Sequence, residues 1–380
     1  MIDSGNPILN SFIGGSIMAI SSSLHLYLQG KITGISGTLF KCISCNDFAY
    51  GFSFLTGMLF ISSFIKCFYD PITSQKFGGS QFLESPSKYV EDLSLPGFLL
   101  AGFLVGFGAK MANGCTSGHG VCGLPRMSKR SIIAISFFMI FGMSVATIRY
   151  HYPFLRPSSY AYDVWEYPSI YYLVLCTSLL GFLFTLINGF NSGIKNKVRD
   201  IMISFFIGAL FSLGLIQSGM LQRHAVIEFL TISNIWNIQL AFVLGAAVGI
   251  NLFTFNYILK KIPKPVFKDK YDMPTNTTVD NKLLCGSAIF GIGWGLSGVC
   301  PGPAVLGFYI YCPQMLVFFV SLCFGMKIES VYDKKMAEII NRNGFISKLN
   351  IFQKLPVKKN WINKLSNFYS IIFNLILYLN

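Results

Sequence analysis

The stretch that decides how this chain folds is Asn113–Gly123, "NGCTSGHGVCG". It holds Gly114, Gly118, Gly120 and Gly123, with Cys115, Cys122 and His119 between them. It follows the apolar run 96–113 and precedes the basic patch Arg126, Lys129 and Arg130. So much glycine ends a helix and lets the chain turn tightly. Within a bilayer, irregular backbone must be shielded by protein or line a wet cavity. The stretch therefore reads as a helix broken at membrane depth. Thr116 and Ser117 suit the N-cap of a new half-helix.

The rest of the chain supports lipid as the solvent. Of its 380 residues, 53% are hydrophobic and only 12% are charged, against about 25% charged in a soluble domain. Nine apolar runs approach the roughly 20 residues that a span needs: 7–28, 48–67, 96–113, 130–149, 168–189, 201–219, 236–259, 283–299 and 303–326. The segment before the first, "MIDSGN", has no Lys or Arg, unlike the positive start of a secretory signal. Two shorter stretches, 31–43 and 220–232, read as re-entrant or interfacial pieces. The fold class is thus an all-α polytopic membrane protein with about nine transmembrane helices and two short re-entrant helices.

The decisive pattern occurs twice. "GFGAKMANGC" (106–115) and "GIGWGLSGVC" (291–300) both read Gly, apolar residue, Gly, six residues, Cys. Each is preceded by a span, a short piece, another span and a polar loop. Each is followed by one more span. Four spans return the chain to its starting side, and the run 168–189 then crosses once more. The second half would start from the opposite face, so counting predicts an inverted repeat. The chain divides into a first repeat (1–150), a linker with the connecting span (151–200), a second, inverted repeat (201–327) and a basic tail (328–380).

The net charge of +14 reads here as membrane orientation rather than nucleic-acid binding. The N-terminal side holds six Lys and Arg residues: Lys66, Lys76, Lys88, Arg149, Arg156 and Arg223. The opposite side holds fourteen before the tail, among them Lys31, Lys41, Arg126, Lys129, Arg130 and the lysines of 260–282. The positive-inside rule makes that side cytoplasmic. The N-terminus is then non-cytoplasmic and the C-terminus cytoplasmic. The tail mixes Lys with Phe, Ile, Leu and Trp361, and reads either as an amphipathic segment lying on lipid or as a basic coil.

The chemistry collects at the two breaks. Pro301 and Pro303 in "CPGPA" end one helix and suit the first turn of the next. Two half-helices would then direct N–H groups at a common centre, where an anion is favoured. Cys115 and Cys300 stand there, one from each half. A neutral S–H is a weak donor. The expected substrate-binding or translocation residues are Cys115, Cys300, Lys110, Gly114, Thr116, Ser117, His119, Pro301 and Gly302. Lys110 would draw anions, or only snorkel. An alternative is a zinc or copper protein using Cys115, His119 and Cys122, whose spacing is ligand-like. An enzyme moving sulfane sulphur needs an activated thiolate, and no acid–base constellation accompanies these cysteines. There is no Walker loop, HExxH or Rossmann fingerprint. The reading is a non-enzymatic protein without a cofactor. Its partners are lipid and an anion rather than nucleic acid.

"GAKMANGCTSGHGVCG" and "GIGWGLSGVCPGPA" resemble the two signatures of the YeeE/YedE sulphur-transport family, whose characterised members carry thiosulfate. "GKITGISG" (30–37) and "SGMLQRHAVIEFL" (218–230) are similar to it in style. The resemblance covers roughly 7–326 and looks like two small bacterial subunits fused through a linker helix. It implies an inverted-repeat fold that passes a sulphur oxyanion along thiols near the midplane, with Cys115 and Cys300 at the positions of the central cysteines. Lys110 stands where the bacterial pattern often has Arg. Many bacterial members carry a further cysteine near the first re-entrant segment, where this chain reads Ile35, Ser36, Gly37.

Overall fold

Helix α1 (Pro7–Gln29) shows how the sequence sets the element boundaries. Pro7 occupies its first turn, and Asn6 Oδ1 accepts hydrogen bonds from the N–H groups of Ile8 (3.0 Å) and Leu9 (3.4 Å). Gly30, at φ 67°, closes the other end, a left-handed position that glycine takes without a Cβ penalty. The computed structural model describes residues 6–69, 93–156, 168–194, 196–310 and 313–349.

After α1 come α2 (Ile35–Ile43), α3 (Phe48–Phe64), α4 (Leu95–Met111), the wide-wound α5 (Thr116–Gly123) and α6 (Lys129–His151). The connector α7 (Pro168–Asn191) leads to α8 (Lys197–Gln217), α9 (Arg223–Leu230), α10 (Gln239–Lys261), α11 (Asn281–Ser297), α12 (Pro301–Gly307) and α13 (Gln314–Leu349). The described residues form helices and no strand. Among the described residues seven helices are long and apolar enough to cross a membrane, and nine if the bent pairs α4–α5 and α11–α12 each count as one. The protein is an all-α polytopic membrane protein.

The helices pack in exchanged pairs. α3 lies on α8 as α10 lies on α1, and α4 lies on α13 as α11 lies on α6. α1 also meets α8, and α4 meets α11. The connector α7 packs on α3 and α8. Small residues let these backbones approach, as helix pairs in lipid require. A Cβ built on Gly102 or Gly106 of α4 would run into the carbonyl groups of Phe318 and Leu322 on α13. Serines add bonds across the same contacts: Ser53 Oγ donates to Ile201 O (2.7 Å), and Ser21 Oγ to Ile207 O (2.9 Å).

Two boundaries differ from the sequence reading. The apolar run 303–326 is not one element: Pro301–Gly307 forms a short bent helix after α11, and the last long helix starts at Gln314. Nor does a separate tail begin at Ile328, because α13 continues unbroken to Leu349. Hydropathy falls there, but Ala337, Glu338 and their neighbours still favour a helix. The terminal run "FYSIIFNLILYL" lies outside the described residues.

Candidate functional site

The two breaks have the same local geometry. Asn113 (φ 59°) and Gly298 (φ 70°) each take a left-handed conformation two residues before a cysteine. A Cβ on Gly298 would also crowd Ile227 Cγ1 at 2.8 Å, so α9 leaves room there for glycine alone. The cysteines follow in extended backbone, Cys115 at φ −119°, ψ −168° and Cys300 at φ −107°, ψ 171°. A short helix then starts at once, bent 45° from α4 in the first half and 43° from α11 in the second.

The capping differs from the sequence expectation. Cys115 and Cys300 are themselves the N-caps, and neither makes a side-chain capping bond. Thr116 is the first helical residue. Ser117 Oγ instead accepts the N–H of Ile35 at 3.2 Å, tying α5 to α2, and stands 3.2 Å from Cys115 Sγ. Pro301 and Pro303 both lie inside α12, which Cys300 precedes. Ser297, not Pro301, ends α11.

Cys115, Thr116, Ser117, Cys300 and Gly302 all line one cavity of about 80 Å³. The Thr116 side chain reaches the Cys300 thiol, so the two breaks touch. The remaining wall is mostly apolar, with Met18, Phe138, Phe211, Leu240 and Trp294 among its residues. Cys115 is 1% exposed and Cys300 6%. Any charged guest would lose its water here and gain only weak donors and backbone dipoles, an exchange that favours soft, loosely hydrated groups.

The other expected residues stand outside this wall. Gly114 packs beneath the His119 ring, where a Cβ would meet Nε2 at 2.7 Å. His119 Nδ1 pairs with Ser131 Oγ (3.1 Å), and its Nε2 with Ala112 O (3.3 Å). Cys122 Sγ donates to Thr33 O at 3.3 Å. With His119 and Cys122 so engaged, the metal reading of Cys115, His119 and Cys122 is set aside. Among the described residues no three His, Cys, Asp or Glu side chains are arranged to hold an ion. Pro301 is buried at the start of α12. Lys110 lies in the last turn of α4, its ammonium 4.2 Å from the centre of the Phe40 ring.

Sequence reasoning missed the braces around the breaks. Arg223 Nε donates to Ser297 O at 2.5 Å, and an Arg149 guanidinium N–H to Leu296 O at 2.6 Å. Both arginines are buried and hold the last carbonyl groups of α11, where cations are favoured. Asn251 Nδ2 donates to Val121 O (2.8 Å) and Ser22 Oγ (2.9 Å), pinning α5 from α10. His25, read from sequence as an ordinary residue near a span end, is 2% exposed. It bonds Thr33 Oγ1 at 2.8 Å and the Tyr50 hydroxyl. Most of these partners are far apart in sequence, and no local motif marks them.

Comparison with known proteins agrees with this geometry. A family model described as sulphur transport matches residues 93–145, which hold the first break. A second, described as a family of unknown function (DUF6691), matches 199–340, which hold the second. A "Probable transporter" from Xylella fastidiosa (strain Temecula1 / ATCC 700964) is 35% identical over 128 residues, 33% of this chain and 86% of the relative. Another from Xylella fastidiosa (strain 9a5c) is 33% identical over 135 residues, 36% of this chain and 90% of the relative. Each relative is thus shorter than half of this chain. Together with the signatures at Cys115 and Cys300, this likeness shows that the chain belongs to the YeeE/YedE sulphur-transport family of membrane proteins.

Proposed function

We propose that this protein carries thiosulfate, or a closely related sulphur-containing anion, across its membrane by way of the Cys115 and Cys300 thiols. The observation that carries the reading is the shared cavity, where one cysteine from each half caps a bent helix and Thr116 bridges to Cys300. The relatives named probable transporters and the sulphur-transport match support transport rather than catalysis.

Thiosulfate suits such a site because its terminal sulphur is soft and weakly hydrated. Two S–H groups and the Thr116 and Ser117 hydroxyls can hand it on without the trap of a full ion pair. Gly302 keeps the α12 side of the cavity open, and Gly114 and Pro301 shape the two turns. His119 braces the first break. Lys110 draws the anion toward the bundle. The exchanged helix pairs support an inverted repeat of two fused halves. The Lys and Arg distribution supports a cytoplasmic C-terminus.

Uptake of labelled thiosulfate into liposomes that contain only this protein tests the proposal. Uptake above that of empty liposomes is expected. A correctly folded preparation that passes no thiosulfate would refute it.

A further inference from the structure

Glu329 lies within the apolar stretch of α13, Gln314–Met336. It is 1% exposed, and neither of its carboxylate oxygens accepts a hydrogen bond of ordinary geometry. The surrounding elements supply a small charge cluster. From the first turn of α11, Lys282 Nζ stands 3.4 Å from Glu329 Oε1 and 2.5 Å from Asp333 Oδ1. From the last turn of α4, Lys110 acts on the same carboxylate. α2, which carries Lys41 and Cys42, supplies the Phe40 ring beneath Lys110. α12 has no titratable side chain except that of its cap, Cys300.

An ionisable group inside a span is costly and marks function by default. Lys282 leans toward Asp333, whose side chain is 53% exposed, while that of Glu329 is 2% exposed. Lys282 gives a charged Glu329 the larger compensation, and the Lys110 ammonium adds to it. That ammonium is also the group assigned above to the incoming anion. An anion at Lys110 adds negative charge beside Glu329, and added like charge makes a carboxylate bind a proton more readily. The two events favour each other, and the coupling is reciprocal.

We propose that Glu329 is a proton-binding site linked to the anion at Lys110, so that the protein takes up a proton together with its substrate. The proton comes from solution and binds one carboxylate oxygen, cancelling one negative charge; no bond in the anion changes. This inference rests on the proposed transport of a sulphur-containing anion.

The test uses the purified full chain in weakly buffered detergent at about neutral pH. Retention of labelled thiosulfate reports binding, and a pH indicator reports proton uptake. Wild type should take up to one proton per bound anion, and its affinity should fall by up to about tenfold per pH unit on the alkaline side. Glu329→Gln should bind thiosulfate with no proton uptake and a flat pH profile. Glu329→Asp, which keeps a carboxyl, should retain the uptake and so separate titration from folding. Wild-type binding without proton uptake overturns the linkage alone, as does undiminished uptake in a folded Glu329→Gln protein. Wild type that retains no thiosulfate overturns the substrate reading, and the linkage with it.

Discussion

The Thr116 side chain, one residue past Cys115, reaches the thiol of Cys300, 185 residues on from Cys115. The two breaks thus meet at one centre beside a mostly apolar cavity. Removing either thiol should leave that centre short of a donor. Cys115→Ala and Cys300→Ala should each abolish most thiosulfate uptake at unchanged membrane abundance. Serine is a stronger donor of similar shape. It should rescue uptake if hydrogen bonding dominates and fail if the softness of sulphur matters. Cys176→Ala and Cys323→Ala, on α7 and α13 away from the cavity wall, are controls expected to cost little. Loss of both central cysteines with uptake intact would end the thiol-gated reading.

Lys110 makes a separate test of anion attraction. Its ammonium lies over Phe40 outside the cavity wall, so the proposed attraction would act on approach rather than at the thiols. Lys110→Gln should lower uptake severalfold at low salt, with a smaller effect at high salt, because screening weakens steering. Lys110→Arg should largely preserve it. Equal rates in all three proteins would leave Lys110 as a residue that packs on Phe40 and nothing more.

Much of the fold was legible in the sequence because lipid imposes a simple rule: apolar runs of the right length become helices. The doubled Gly-x-Gly-x6-Cys pattern likewise located both breaks, whose backbone angles match at Asn113 and Gly298. Capping was misjudged. Thr116 and Ser117 have the chemistry of caps, but the cysteines take the extended conformation, and Ser117 is drawn to the N–H of Ile35. The end of α11 was also misread, because Gly298 turns the chain before Pro301 is reached. The arginine braces were invisible for another reason. Arg149 and Arg223 reach Leu296 and Ser297 across 147 and 74 residues, and in sequence they register only as charge.

At Gly106 α4 lies close against α13, with Leu322 O in the space a Cβ would occupy. Backbone cannot yield as a flexible side chain can. Gly106→Val should push the helices apart and cost about 1–3 kcal/mol, the usual range for overpacking. A lower thermal midpoint in detergent and reduced membrane abundance are the expected readouts. By contrast, Gly245→Val on α10 meets nothing within 4 Å and should leave the midpoint nearly unchanged.

Orientation has a simple chemical test. Asn276 begins "NTT" in the loop between α10 and α11, on the side with most Lys and Arg. If that side is cytoplasmic, Asn276 should carry no glycan when the protein is made in a secretory-competent eukaryotic cell. Cys45 is exposed near the same end as Lys31 and Asp47. An impermeant maleimide added to intact cells should leave it unlabelled, and should label it once the membrane is opened. Glycosylation of Asn276, or labelling of Cys45 from outside, would reverse the orientation.

Arg223 offers a test of how the second break is held. Its Nε–H donates to Ser297 O from a side chain that is almost wholly buried, and its guanidinium stands 5.4 Å from the Phe98 ring. Arg223→Met keeps much of the stem's volume but removes the donors. Ser297 O would lose a charged partner at the C-terminal end of α11, where the helix dipole adds to the cost. A buried acceptor left unsatisfied costs about 1–3 kcal/mol, so the thermal midpoint should fall. Uptake should fall further than stability explains, because Gly298 and Cys300 follow directly. Arg223→Lys keeps the charge without the planar donor set and should lie between wild type and Arg223→Met in both measurements. If Arg223→Met lowers the midpoint while the uptake per folded molecule is unchanged, the brace serves stability alone and the position of Cys300 is set by α12.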